Sequence, residues 1–154
     1  TTESIATADD VAHIVDVYRT RWLSEEFHAS LKGGCAFEAR EFETRHALLN
    51  ILALSIPIAC EVLALRSHAR HASSRPATDI MTPLQLRVLR ALGHRPLDDD
   101  PTVDKALLAV AGLGGHLKRN GPPGWKVLSR GMATLQLCVR AWEAATVAAA
   151  RGGL

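Results

Sequence analysis

The stretch Trp125–Arg151, WKVLSRGMATLQLCVRAWEAATVAAAR, sets the fold class. Leu128, Met132, Leu135, Val139, Trp142, Thr146 and Ala149 follow one another at spacings of four and three, with Trp125 one turn earlier on the same side. That is a heptad seam on one long helix. It admits two readings: a contact with a second subunit, or packing against the apolar helix Ile51–Leu65 of the same chain. Working back from it, Gly112–Gly115 and Asn120–Gly124 bracket a turn that carries His116, Lys118 and Arg119. Thr102 caps a helix running to about Ala111, and Thr82-Pro83 opens a shorter one that ends near Gly93. His94–Pro101 reads as a loop with solvated Asp98, Asp99 and Asp100. The polar run ASSRPATDIMT, residues 72–82, reads as a linker or surface excursion.

Further upstream, Glu41–Arg70 reads as a second long helix, with Thr44 an alternative start. Its middle, Leu48–Leu65, is apolar almost all round and near the minimum length for a membrane span. Asn50, Pro57 and Glu61 within it, and charges at both ends, favour a central helix of a soluble protein, with no membrane partner. Thr7-Ala8-Asp9-Asp10 spells a capping box. A first helix is expected from there to Lys32, stopped by a left-handed Gly33-Gly34. No segment alternates convincingly as a strand. The expected class is all-α.

Composition agrees. Of 154 residues, 47% are apolar and only 5% aromatic, so the β-branched and aromatic residues that favour sheets are thin. The formal charge of +2 is too small for a general nucleic-acid argument, and any DNA contact must be local. Cys35, Cys60 and Cys138 are scattered and odd in number, which points away from a disulfide framework and toward a reducing cytoplasm. The first ten residues hold no signal-peptide pattern, and a start at Thr1 without Met suggests a piece of a longer protein.

Chemistry concentrates on the first helix. Tyr18, Arg21, Glu25 and Lys32 are spaced by three, four and seven, which at about 100° per residue places them within roughly a 60° arc. His28 edges the stripe and Trp22 flanks it. A carboxylate between two cations suits a metal-dependent phosphoryl-transfer site, with hard oxygen for the ion and cations for phosphates. Val11 and Ile14 share the stripe, so a core-facing side with intrahelical pairs is the competing reading. His68 and His71, with Arg66 and Arg70, read as a basic helix end rather than a metal site.

Tyr18-x2-Arg21-x3-Glu25-x6-Lys32 resembles, without a gap, the Y-R-E-K signature of bacterial cut-and-paste transposases of the transposon-five type. The neighbouring Glu25-Glu26-Phe27-His28 and Leu31-Lys32-Gly33-Gly34-Cys35 are similar too. So are Leu113-Gly114-Gly115-His116-Leu117 and Gly121–Gly131 downstream. The resemblance spans Thr1 to about Gly131. It implies that residues 1–36 carry the last helix of an RNase H-like catalytic core and that 37–154 form a helical dimerisation domain.

By that resemblance Glu25 is the third catalytic carboxylate and a ligand of Mg2+ or Mn2+. Arg21, Lys32 and Tyr18 hold the phosphate backbone of transposon-end DNA. Trp22 stacks on a distorted base or else packs in a core. Leu128, Met132, Leu135, Val139 and Trp142 are the expected homodimer contacts in the synaptic complex. Lys118, Arg119, Lys126 and Arg130 either touch DNA or form a solvated turn. Two departures stand out: Ala29 replaces a lysine found in some relatives, and the two aspartates of the triad are absent. The chain alone is expected to be inactive, acting as part of a bacterial cytoplasmic enzyme. A stand-alone dimerisation module that poisons an intact transposase is the alternative.

Overall fold

The computed structural model describes residues 4–36, 41–93, 95–117, 119 and 121–152. Among them the chain is all-helical, without a strand. Helix α1 spans Ala8–Ala29 and continues into a π turn, Ser30–Gly34. Then come α2 (Arg45–His71), a 3-10 turn (Ala77–Asp79), α3 (Pro83–Ala91), α4 (Val103–Leu113) and α5 (Trp125–Gly152).

Local chemistry places most of these ends. The Thr7 hydroxyl accepts from the Asp10 amide at 3.2 Å, while the Asp10 carboxylate accepts from the Thr7 amide at 2.7 Å. Thr82 and Gln85 repeat the reciprocal pattern at α3, with Pro83 at the first helical position. Thr44 caps α2, so that helix begins at Arg45 and not at Glu41. Gly93, with φ of 64°, ends α3 as expected.

The stop after α1 differs from expectation. Neither Gly33 nor Gly34 is left-handed; that conformation falls on Ala36, with φ of 52°. The helix widens instead of stopping, and the Cys35 amide donates back to the Ser30 carbonyl at 3.0 Å. Packing explains Gly34, because a Cβ there would overlap the Ser129 hydroxyl of α5.

The core is built from α3, α4, the first half of α5 and the second half of α2. Val62, Leu65, Leu86, Leu89, Val103, Leu107, Val110, Leu128, Met132 and Leu135 are buried there. The run 72–82 is no loose linker. Ala77 and Met81 are buried, and the Ala77 amide donates to the Pro101 carbonyl at 2.8 Å while Val103 donates to Arg75 at 2.9 Å. The closest approach is between α4 and α5. A Cβ on Gly131 would overlap the Val110 carbonyl, and one on Gly114 would overlap that of Val127. Two glycines thus let the backbones touch, with the Arg130 guanidinium donating to the Gly114 carbonyl at 3.2 Å.

Helix α2 is only half a core helix. Ser55, Ala59, Val62 and Leu65 are buried, whereas Leu49, Leu54 and Ile56 are exposed. By length and composition it is apolar enough to cross a membrane, and only 22% of its most apolar window is buried. Its single acid, Glu61, is well used: Gln85 of α3 and Gln136 of α5 both donate to that carboxylate, at 3.2 and 2.9 Å. One half-buried acid therefore ties three helices together.

A candidate phosphate-facing helix

Helix α1 buries none of its 22 residues. The reading of its stripe as a core-facing side therefore finds no buried residue within this chain: Val11, Tyr18 and Trp22 stand exposed and Ile14 is partly covered. Its helicity rests on the capping box and on short-range pairs, Asp16–Arg19 at 3.0 Å and Arg21–Glu25 at 3.2 Å. The Asp10 carboxyl titrates below the usual aspartate range. The Ala6 amide is the first cause, followed by the hydroxyl and amide of Thr7.

Tyr18, Arg21 and Glu25 do come together. The Arg21 guanidinium lies 5.2 Å from the Tyr18 ring centre and bonds the Glu25 carboxylate one turn on. Tyr18, Arg19, Arg21 and Trp22 line an open hollow of about 370 Å³. Tyr18 and Trp22 are 66% and 62% exposed, so each ring offers an open surface on which a base could stack. Glu25 is 45% exposed in its side chain, and an ion pair this wet contributes at most about 1 kcal/mol. Exchanging Arg21 for a stronger cation therefore costs Glu25 little.

Lys32 falls beyond the end of α1. It lies exposed in the π turn, where i→i+5 bonding underwinds the helix. The 60° arc counted with α-helical angles does not carry over to it. His28 is turned inward on its own helix, its Nδ1 2.6 Å from the Ser24 carbonyl. Among the described residues no three His, Cys, Asp or Glu side chains converge as a metal-binding group.

The seam of α5 divides. Leu128, Met132 and Leu135 are buried in the chain's own core, which removes them as contacts for a second subunit. Val139 packs partly against the same core, and Trp142 is 42% exposed, at the start of a bare segment 141–151. Of the basic turn, Lys118 lies outside the described residues; Arg119, Lys126 and Arg130 are exposed. The downstream motif, Leu113–Leu117 and Gly121–Gly131, is the α4–α5 corner itself, with His116 buried and Gly115 and Gly121 left-handed.

Two contacts were not read from sequence. The Arg70 guanidinium of α2 pairs with Glu26, whose side chain is only 12% exposed. One turn earlier, Arg66 lies over the Trp125 ring with 4.2 Å between charge and ring centre. Burial first, and the charge of Arg70 second, pull the Arg66 guanidinium below its ordinary range, against the opposing charge of Glu26. A helix end rich in Arg was the only advance signal for either. No family model matches the chain.

Proposed function

We propose that this chain is the C-terminal part of a bacterial cut-and-paste DNA transposase. In this reading residues 1–36 close an RNase H-like core and 37–154 form its helical tail. The observation that carries it is the bared Tyr18–Arg21–Glu25 stripe on a helix that buries nothing. Exposed cations and rings beside a hard carboxylate are the chemistry of a DNA phosphate site.

Glu25 fits one place in a set of carboxylates around Mg2+ or Mn2+; the other oxygen donors would come from outside these residues. Divalent ions held so supply stabilisation of the attacking and leaving oxygens in an in-line displacement at phosphorus. Arg21 and Lys32 hold the transposon-end backbone by charge, Tyr18 adds a hydroxyl and a ring, and Trp22 offers a face to an unstacked base. A second copy of the chain completes the synaptic complex, and the enzyme works in the bacterial cytoplasm.

The test is Glu25→Gln in the intact transposase. It keeps end binding and abolishes metal-dependent cleavage, since an amide lacks the charge the ions need. Near-normal cleavage of a transposon-end duplex by that variant rejects the assignment. Arg21→Ala and Lys32→Ala each weaken the end complex and flatten its dependence on salt. The bare end of α5 favours a second reading, a dimerisation module that inhibits transposition by joining mixed complexes. That module acts equally well with Gln at position 25.

A further inference from the structure

We infer that Glu26 is a positioning residue for Glu25, acting through its ion pair with Arg70. This rests on the transposase reading above. Successive residues of a helix point about 100° apart, so whatever holds Glu26 against α2 also sets the direction in which Glu25 points. The buried π turn Ser30–Gly34 fixes the end of the helix against α5. Within α1 itself no residue is buried, and its other ion pairs run within the helix, so the Glu26 pair is what sets the helix's direction at Glu25. Among the described residues, Arg70–Glu26 is the ion pair that joins α1 to another helix.

The pair is built into a rigid setting. Glu26 is far more buried than Glu25, at 12% against 45% side-chain exposure. Arg70 projects from α2 one turn beyond Arg66, and Arg66 is clamped over Trp125 at the start of α5. Glu26 lies close enough to act on the charge of Arg66 as well. A chain of contacts thus runs from the packed corner, through Trp125, Arg66 and Arg70, to the carboxylate next to Glu25. Two adjacent glutamates have opposite work: one anchors the helix inward and its neighbour is aimed outward.

The experiment uses the intact transposase with Arg70→Met, Glu26→Gln, the double variant and Arg70→Lys. Misplacement by about 1 Å at a reacting centre costs on the order of a hundredfold, so each neutral variant is expected to slow cleavage by about tenfold or more. The Mg2+ concentration for half-maximal cleavage rises, while the Kd for transposon ends stays within about threefold. The double variant is no worse than either single one, because both remove the same contact, and Arg70→Lys recovers most of the rate.

A merely structural pair would lower the melting temperature and leave the Mg2+ requirement unmoved at temperatures where the protein is folded; that outcome overturns the inference. So do additive losses in the double variant. Glu25→Gln run alongside separates the two levels. If it abolishes cleavage while the Arg70 variants change nothing, positioning fails and the transposase reading stands. If it cleaves normally, the reading itself has failed.

Discussion

Helix α1 and the α4–α5 corner answer the same sequence pattern in opposite ways. The 22 residues of α1 bury none, whereas the 11 of α4 bury six, and α5 lies against them with two glycines at the contact. Both regions show apolar residues at helical spacing. In the corner that spacing means packing; on α1 it leaves valines and a tryptophan beside a charged stripe facing water. Periodicity therefore tells that a helix has a side, and not what covers it.

The hardest blow to that contrast is Leu135→Asp. Leu135 is fully buried, and an unpartnered carboxylate there costs several kcal/mol, enough to abolish cooperative unfolding by circular dichroism. An intact melting transition for that variant would move the seam's first half out of the core. Met132→Ala is expected to cost about 2–5 kcal/mol. Trp22→Ala on α1, removing a larger side chain, shifts stability by no more than about 0.5 kcal/mol. Equal losses at the two positions would erase the difference between the regions.

Along α5 the effects should grade. Val139→Asp costs less than Leu135→Asp, because Val139 only borders the core. Trp142→Ala leaves the melt unchanged and, on the proposed dimer reading, reduces self-association in sedimentation. A stability loss at Trp142 matching that at Leu135 contradicts the division of the seam.

The smallest effect is the effect of acid. The folded-state pKa of Asp10 is depressed, so its capping contribution is present above the unfolded value of about 3.9 and is lost as pH falls through the folded value. Below pH of about 4, amide exchange at Asp10 should quicken in the first turn of α1 before the corner responds. Protection of that amide unchanged through the acid range would show that the box does not hold the helix.

Much of the architecture is local and was legible. Thr7 with Asp10, Thr82 with Gln85 across the turn that Pro83 opens, and Gly93 place helix ends by interactions that reach no farther than four residues. What escaped depends on partners distant in the chain. Gly34 looked like a turn residue, yet it is small because Ser129 lies against it. Glu61 looked like an obstacle to membrane insertion, and is the acceptor for Gln85 and Gln136, 24 and 75 residues away. The seam of α5 read as one continuous surface, since nothing in its own residues marks where the core ends. At the candidate site, the trio of Tyr18, Arg21 and Glu25 was legible from spacing, while the π turn that carries Lys32 was not. A π turn leaves no mark that residue counting detects.

The glycine contact at Gly114 and Gly131 has a mechanical consequence. Backbones in direct contact cannot slide or roll without collision, so α5 leaves the corner in a fixed direction. Beyond Val139 it continues free for about 20 Å at 1.5 Å per residue. Such a beam, clamped at one end, magnifies error: a tilt of about 10° at the clamp displaces its tip by roughly 3.5 Å, more than half a helical turn of about 5.4 Å. A larger residue at position 131 would thus be felt most at the far end of α5, where no side chain had been altered.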